Sequence, residues 1–489
     1  MRRPVSAIAL LVLAGCSVGP DFHRPAVTSD AHWKPLPGAN GAPTFTEATP
    51  DVEWWASFGD PELTQLEQRV ASSNPDVLIA TARLAQSRAF AKLAGAERYP
   101  TLSAAGSYTR EQFSTKSLES IAGKVAGSVD TPVARTISAN AGRLVIPPLN
   151  GWQDGLDASW EVDLWGRVRR QYEAARADEA ANEADRNGVL IARLAETARD
   201  YFRLRGAQEK LSLLDQEAAA AKTLAMLQAQ RSGGGLETAI PASDAASDEA
   251  AIDAERPRAE EEIWTQINAL SLLLGEAPRA LADELLPGAK LPAAPPTVPA
   301  GLPSQLAERR PDILAADARL HAATARVAEA DAEFYPRVTI DAGFGFESFS
   351  FRDLGFWNAR AWNVGPSITL PIFQGGRLRG QLALREGEQQ EAALAYRKTV
   401  LRAWQEVDDA MITSRKQNDR TLSLSRSLQA TNDSYALMQV RLRHGEITEL
   451  PALHVKLALL DRRQSLLDSR LVLNDALVTL YVALGGGWK

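Results

Sequence analysis

The chain contains an internal duplication that keeps its register for more than a hundred residues. Residues 74–100 reappear as residues 310–336 at a constant offset of 236, and the segment that begins at Gly166 reappears from Gly376 at an offset of 210. The first copy is therefore 26 residues longer than the second between Pro100 and Gly166. A repeat of this length is one supersecondary unit used twice, and each unit needs its neighbour to bury its apolar face.

The first sixteen residues predict export from the cytoplasm. Arg2 and Arg3 precede an apolar run over residues 5–14, which is the order of charge and hydrophobicity in a secretory signal. This run is shorter than the roughly 20 apolar residues of a membrane-spanning helix. It ends in Leu-Ala-Gly-Cys at Cys16, which resembles the lipobox of bacterial lipoproteins; an ordinary signal with a chance cysteine is the alternative. The resemblance implies a signal peptide of residues 1–15, a lipid on Cys16 and, because Ser17 follows, an outer-membrane destination.

The composition argues against nucleic acid and against an enzyme. The formal net charge is −7 and the sequence has no basic cluster, so a polyanion is not the expected partner. The five histidines, at positions 23, 32, 321, 444 and 454, show no metal-ligand spacing, and the sequence has no glycine-rich phosphate loop. Cys16 is the only cysteine, so a disulfide framework is excluded. We predict no catalytic site, no metal and no cofactor other than the covalent lipid on Cys16.

Proline, glycine and helical periodicity divide the rest of the chain. We expect a lipidated arm over residues 16–60 and two repeats, at 61–285 and 304–485, joined by a proline-rich linker at 286–303. Helices are predicted at about 75–98, 167–231, 237–274, 311–334, 376–442 and 448–484. The longest two would each extend about 100 Å, with an apolar spacing that favours coiled-coil packing.

Two pairs of segments alternate between apolar and polar residues with a period of two. They predict strands at about 100–109 and 158–165 in the first copy and at about 337–346 and 362–371 in the second copy. Each segment has close to the 9–11 residues that cross a lipid bilayer as a strand. The same alternation is typical of a soluble sheet with one face on a core, so both interpretations stay open from the pattern alone.

The order of the elements predicts a mainly α fold with a membrane β-barrel. Each copy contains a helix, two strands, a long helix and a return helix, and helices of about 100 Å cannot lie within a hydrocarbon core of about 30 Å. Four strands leave two bare edges, so closure in lipid requires further chains: two chains give eight strands and three give twelve. Acidic residues on the polar side suit a hydrated bore, and the barrel-lumen candidates are Glu161, Asp163 and Asp341.

Short motifs along nearly the whole chain carry a resemblance to one family. They are Cys16-Ser17-Val18-Gly19-Pro20-Asp21-Phe22, Trp54-Trp55, Phe58-Gly59-Asp60-Pro61, Tyr99-Pro100-Thr101-Leu102, Arg309-Arg310-Pro311-Asp312-Ile313, Phe373-Gln374-Gly375-Gly376, Trp404-Gln405-Glu406-Val407 and Leu484-Gly485-Gly486-Gly487-Trp488. In this order they resemble the outer-membrane factor family of tripartite efflux pumps, in its lipoprotein branch (NodT-like, TolC-related). The resemblance implies a homotrimer with a twelve-strand barrel above a periplasmic coiled-coil tunnel. It also implies a passive exit duct for drugs or other small solutes, docked to a periplasmic adaptor and an inner-membrane pump of RND type.

The resemblance further implies where the chain meets its adaptor and where the tunnel narrows. The adaptor-contact candidates, at two helix–turn tips, are Gly235, Leu236, Thr238, Gly445 and Thr448. Leu450 matches an apolar ring that constricts the tunnel. Many relatives place an aspartate and an arginine shortly after it, whereas this chain has His454 and Leu457. The repeat register sets Asp244 opposite His454, and our hypothesis is a pH-sensitive gate contact between them; a solvated histidine is the alternative.

Two other functions account for part of the sequence. A periplasmic structural coiled-coil lipoprotein would explain Cys16 and the long helices, but it leaves the two equally placed strand pairs unexplained. The channel of a type I secretion system would share the whole architecture with an efflux channel. A hydrolase lacks support, because nothing in the sequence marks a nucleophile elbow.

Overall fold

The computed structural model describes residues 17–26, 32–33, 44–112 and 147–488. The predicted signal peptide and Cys16 lie outside the described residues. In chain order, the arm contains β1 (Thr44–Thr46), and the first copy contains α1 (Pro61–Ser73), α2 (Pro75–Ala96), β2 (Thr101–Glu111), β3 (Leu149–Val162), α3 (Arg167–Gly233), α4 (Ile240–Leu273) and the short helix α5 (Ala282–Leu285). The rest contains β4 (Thr297–Pro299), α6 (Leu306–Arg309), α7 (Pro311–Ala332), β5 (Arg337–Ser348), β6 (Arg360–Thr369), α8 (Arg377–Arg443) and α9 (Glu449–Ala483).

Local sequence explains where several helices begin and end. The Asp60 carboxylate accepts hydrogen bonds from the backbone N–H groups of Glu62 and Leu63 at 2.9 and 3.1 Å, and Pro61 occupies the first helical position of α1. Pro75 and Pro311 open α2 and α7 in the same way. Each of these two helices ends just before a Tyr-Pro pair, where proline forces the preceding residue into extended geometry and a strand begins.

The four long strands form one antiparallel sheet in the order β2-β3-β5-β6. In the first hairpin Thr101 pairs with Ser159, and in the second Arg337 pairs with Thr369. Arg337 corresponds to Thr101 by the offset of 236, and Thr369 corresponds to Ser159 by the offset of 210. The two hairpins therefore have the same register, and the duplication read from the sequence extends to the strand pairing.

Strand β3 differs from the sequence prediction at both ends. It begins at Leu149 and ends at Val162, whereas alternation predicted about 158–165. Gly151, Asp154 and Gly155 interrupt the apolar alternation, but hydrogen bonds to β2 and β5 on both sides hold this segment in the sheet. A Cβ atom on Gly345 would lie 2.1 Å from the carbonyl oxygen of Asp154, so β3 and β5 approach each other where only glycine fits.

The arm and the linker also contain structure that the sequence did not reveal. β1, from the predicted arm, pairs in parallel with β4, from the predicted linker, and Thr44 lies opposite Thr297. Composition rich in proline therefore hid a short strand in the linker.

Strand β6 begins and ends about two residues earlier than predicted. Pro371 cannot donate a backbone hydrogen bond, so it lies in the irregular link to α8 and not in the strand.

The chain divides into two compact units. Of the described residues, the first unit contains 17–21, 90–112, 147–175 and 324–387, which includes the four-stranded sheet. The second unit contains the remaining residues and a large hydrophobic core. In that core Trp54 is fully buried and its ring stacks on Tyr481, with 5.1 Å between the ring centroids, while Phe58 packs on Phe202 at 4.8 Å.

Candidate functional site

The sheet of the first unit has one apolar face and one polar face. Cross-strand rows on the apolar face are Leu102–Ala158–Ala342–Val364, Ala104–Leu156–Phe344–Trp362 and Val162–Val338–Ile368. Leu102, Trp362, Val364 and Ile368 in these rows are exposed within the chain. A contiguous exposed apolar surface of this kind marks a contact with lipid or with another protein.

The opposite face of the sheet is polar and acidic. Its rows are Thr101–Ser159–Asp341–Gly365 and Ser103–Asp157–Gly343–Asn363. Asp341 accepts a hydrogen bond from the Ser159 hydroxyl at 2.7 Å, as expected for an aspartate on the polar side of its strand. Asp157 lies on the same face and was missed by the sequence prediction, because it falls in the part of β3 that was read as a loop.

Glu161 and Asp163 have different positions from Asp341. Glu161 is half-buried and accepts two hydrogen bonds of 2.8 Å from the Arg167 guanidinium, and Arg337 lies 3.5 Å away. Asp163 was expected in the strand, but it lies after Val162 and accepts from the Arg169 backbone N–H at 2.9 Å, so it caps the first turn of α3. Of the three lumen candidates, only Asp341 and Glu161 are strand residues.

A cavity of about 480 Å³ lies where the polar face meets the following helices. Its lining carries charges of both signs, including Glu161, Glu333 and Arg377. Trp165 and Tyr335 also line it; their rings stack with 4.9 Å between centroids, and Trp165 Nε1 donates to the carbonyl oxygen of Pro336 at 2.9 Å. The end of the first hairpin and the start of the second hairpin therefore meet at this cavity.

The residues after Cys16 are held against the first unit. The backbone N–H of Val18 donates to the carbonyl oxygen of Trp165 at 3.0 Å. Asp21 forms an ion pair with Arg170, whose side chain is nearly buried. Ser17 lies beside Gly166, and this position determines where the chain begins after the predicted lipid anchor. The lipid on Cys16 itself stays a prediction.

The two predicted tips have the same turn geometry. Gly235 and Gly445 adopt left-handed backbone conformations, with φ of 69° and 72°. The ion pair from Arg231 to Glu237 spans the first tip at 3.0 Å, and that from Arg441 to Glu446 spans the second at 3.2 Å. The flanking residues of both tips, including Leu236, Thr238 and Thr448, are exposed. Both turns are therefore preformed and open to a partner.

The gate candidates lie close to one hydrophobic cluster but do not all join it. The half-buried Leu450 packs against a cluster that contains Leu453 and Ala245. Asp244 and His454, the residues next to this pair, are exposed, and no hydrogen bond or ion pair connects them among the described residues. Because the adjacent apolar residues turn towards the cluster, Asp244 and His454 point away from it.

Among the described residues, no helix combines the length and the apolar character that a transmembrane span needs.

Comparisons with known proteins decide the family. The model of the family described as "Outer membrane efflux protein" matches residues 66–276 and 302–486, which together exceed half of the chain. The chain belongs to the outer membrane efflux protein family. The match covers α2 to α4 and α7 to α9, including all four long strands. The chain is an outer-membrane component of an efflux pump.

Individual relatives match this efflux protein over nearly its full length. The outer membrane protein OprJ of Pseudomonas aeruginosa is 30% identical over 492 residues, covering 100% of this chain and 97% of OprJ. The cation efflux system protein CusC of Escherichia coli O6:H1 is 28% identical over 495 residues, covering 98% and 97%. The solved outer-membrane channel OprN superposes with a TM-score of 0.83 at 30% identity, covering 97% of this chain and 100% of OprN. The prediction of an efflux protein in the outer membrane is confirmed.

Proposed function

We propose that three copies of this chain close a twelve-strand barrel in the outer membrane and continue as a helical tunnel in the periplasm. The observation that carries this proposal is the amphipathic sheet, with one apolar exposed face and one polar acidic face. The edges of β2 and β6 have no strand partner among the described residues. An unpaired backbone group in lipid costs several kcal/mol, so the sheet reaches a stable state in the membrane only by closing with other chains.

The carboxylates on the polar face indicate how many chains form the barrel. In an eight-stranded barrel, side chains fill the interior, whereas a wider barrel leaves an aqueous lumen. Asp157 and Asp341 on this face require water or ionic partners, whereas Glu161 already pairs with Arg167. Three chains, giving twelve strands, meet this requirement, whereas two chains would bury these carboxylates in a packed interior.

The preformed tips suit a docking role at the far end of the helices. In this proposal the tips around Gly235 and Gly445 bind a periplasmic adaptor, which connects the duct to an inner-membrane pump of RND type. Leu450 lies one helical turn beyond the second tip and forms the apolar constriction. Asp244 and His454, exposed beside the same cluster, form the polar part of the gate.

The duct is passive in this proposal, and its cargo is a drug or another small solute. CusC is named for cation efflux, whereas OprJ and OprN carry no cargo in their names, so the family itself does not fix the solute. The partner pump selects the cargo and supplies the energy. The duct contributes a hydrated path whose wall is weakly acidic.

An efflux assay in cells tests this function. Deleting the chain should raise the accumulation of pump substrates, measured with a fluorescent dye such as ethidium and a panel of antibiotics. Re-expression should restore the parental level, while re-expression of a Cys16→Ala variant tests the separate contribution of the anchor. Unchanged accumulation of every compound after deletion, in a strain without a second channel of this family, would contradict an efflux role.

A further inference from the structure

The apolar face of the sheet changes character at the end of the strands that lies away from the helices. Beyond the row that ends at Trp362, the next rows on the same face are Gly106–Asp154–Phe346–Arg360 and Tyr108–Trp152–Ser348. Arg110 continues this face beyond Tyr108 on β2. Charged and aromatic side chains therefore follow the apolar rows, which is the pattern expected where a hydrocarbon layer meets polar head groups.

Each hairpin places one arginine at this end of the apolar face. Arg110 pairs with Asn150 across the first hairpin, and Phe346 pairs with Arg360 across the second. The offsets of 236 and 210 make these two pairs equivalent, so the arginine has changed strand but one guanidinium is kept in each pair. An arginine facing lipid is costly in the middle of the bilayer and costs little at its surface. The position of both arginines therefore indicates a polar boundary.

Aromatic side chains surround this boundary. The rings of Tyr108 and Trp152 lie 4.4 Å apart between centroids, and Trp152 contacts Phe351 at 4.9 Å. The connection between β5 and β6 adds four aromatic residues with between 63% and 71% of their surface exposed: Phe349, Phe351, Phe356 and Trp357. An exposed apolar surface of this extent marks a contact with lipid or with another molecule.

Arg360 is held in place by its own hairpin. Its guanidinium carbon lies 4.5 Å from the centroid of the Trp357 ring, and its Nη1 donates to the Trp357 carbonyl oxygen at 2.6 Å. Within the described residues, neither Arg360 nor the exposed Arg352 forms an ion pair, although Asp154 and Asp353 lie at the same end of the sheet. Donors of both guanidinium groups are therefore available to an anion.

We infer that this end of the sheet binds a phosphorylated glycolipid of the outer leaflet. Arg352 and Arg360 bind a phosphate group, because a guanidinium presents paired N–H donors that match phosphate oxygens. The exposed rings of Phe351 and Trp357 pack against the sugar, and the acyl chains lie along the apolar rows of the sheet. The site rests on the proposed function, since it requires the apolar face of the sheet to face lipid.

The chemistry of the site favours a glycolipid over a glycerophospholipid. In the proposed function the helices lie in the periplasm, so Arg360 lies in the outer half of the membrane, where the lipids present phosphorylated sugars. Phosphatidylglycerol offers a phosphate to the arginines but no sugar ring to the aromatic residues. A ligand that carries both groups uses the arginines and the aromatic rings together.

Native mass spectrometry of the purified full chain in detergent tests the site. The probe is lipid A with both phosphates, and the comparison probes are the same lipid A without phosphates, phosphatidylglycerol and inorganic phosphate. Intact lipid A should bind about tenfold more tightly than either other lipid. Inorganic phosphate at the same concentration should not displace it. Displacement by inorganic phosphate, or equal affinities for lipid A and phosphatidylglycerol, would overturn the glycolipid assignment.

Three variants identify the residues responsible. Arg360→Gln should lower the affinity for intact lipid A about tenfold and leave the affinity for the form without phosphates unchanged. Trp357→Ala should lower the affinity for both forms, because it removes the ring beneath the sugar. Arg397→Gln is the matched control: it removes an exposed arginine from α8, outside the sheet, and should change neither affinity. Equal affinities of the parent and Arg360→Gln for intact lipid A would overturn the site.

The masses recorded in the same experiment separate a failure of this site from a failure of the proposed function. A trimer that binds no lipid A would overturn the glycolipid site and leave the proposed barrel intact. A single chain that also gives no conductance in a lipid bilayer would overturn both. Restored efflux in cells that carry Arg360→Gln would show that this variant is folded, so its reduced affinity would then support the site.

Discussion

Asn74 donates a hydrogen bond from its side-chain nitrogen to the carbonyl oxygen of Leu273, 2.7 Å away and 199 residues later in the chain. The second copy makes the same bond with a different residue, because Nη1 of Arg310 donates to the carbonyl oxygen of Ala483 at 3.1 Å. In each copy this bond joins the residue before the first long helix to the C-terminal end of the return helix. The closure of each repeat is therefore retained although the donor has changed from an amide to a guanidinium.

Removing the closing bond of the first copy should destabilise the second unit. Asn74→Ala loses the bond to Leu273 and also the cap on α2, where Oδ1 accepts from the N–H groups of Asp76 and Val77 at 2.9 and 3.2 Å. Together these should lower the free energy of unfolding by about 1–3 kcal/mol, measured by denaturant unfolding in detergent. Ser73→Ala, at the exposed preceding residue, should change it by less than about 0.5 kcal/mol. Equal effects would show that the bond contributes nothing.

Asp200 should make stability depend on pH. Burial raises the pKa of this carboxyl from 3.8 to about 6, and Arg203, 3.4 Å away, only partly opposes the effect. Between these two pH values the folded state holds a proton on Asp200 that the unfolded chain releases. The contribution of Asp200 to stability is therefore greatest below pH 3.8, and it falls until the pH passes about 6. Asp200→Asn removes this loss and should raise stability by up to roughly 3 kcal/mol above pH 6 and by little near pH 4. A gain of the same size at both pH values would contradict this account, and Glu183→Gln, an exposed acid on the same helix, is the control.

Much of the fold could be predicted because the duplication repeats each signal. Proline marked the start of α2 and α7, and Tyr-Pro marked their ends at the same relative positions. β3 was placed too late because Gly151 and Gly155 erased the alternation that identifies a strand. Its start is determined by pairing with β2 and β5, which are distant in sequence, and a pattern within one segment does not report such pairing.

The candidate site was predictable where a residue's role follows from its position in a strand. Asp341 is on the polar face because alternation in β5 places it there. Asp163 has the same residue type, but the end of β3 at Val162 leaves it to cap a helix instead. Ile191 is buried whereas its equivalent Leu401 is half exposed, and this difference between the two copies is not contained in the sequence of either copy alone.

Asp341 should contribute to the ion selectivity of the pore. One carboxylate from each of three chains would form a ring that raises the local concentration of cations. Asp341→Asn should lower the ratio of cation to anion permeability a few-fold, on the order of 1 kcal/mol, as measured by reversal potentials in a salt gradient. Asp353→Asn, on the hairpin between β5 and β6, is the matched control and should have a smaller effect. An unchanged ratio for Asp341→Asn would exclude it from the lumen.

His454 should make channel opening depend on pH. A proton on its imidazole attracts the Asp244 carboxylate of the gate, so conductance should be lower at pH 5 than at pH 8. His454→Leu should flatten this dependence in single-channel recordings across that range. His444→Leu, which removes the exposed histidine ten residues earlier at the second tip, should leave it unchanged. Identical curves for the parent and His454→Leu would exclude a gating role.

The central claim is that chains join to enclose a conducting lumen, and one experiment on the purified protein tests it most directly. The protein is extracted in mild detergent, its mass is determined by native mass spectrometry, and the same preparation is inserted into a planar lipid bilayer. We predict a mass of three acylated chains and discrete, stepwise conductance. A single chain without measurable conductance would contradict the account.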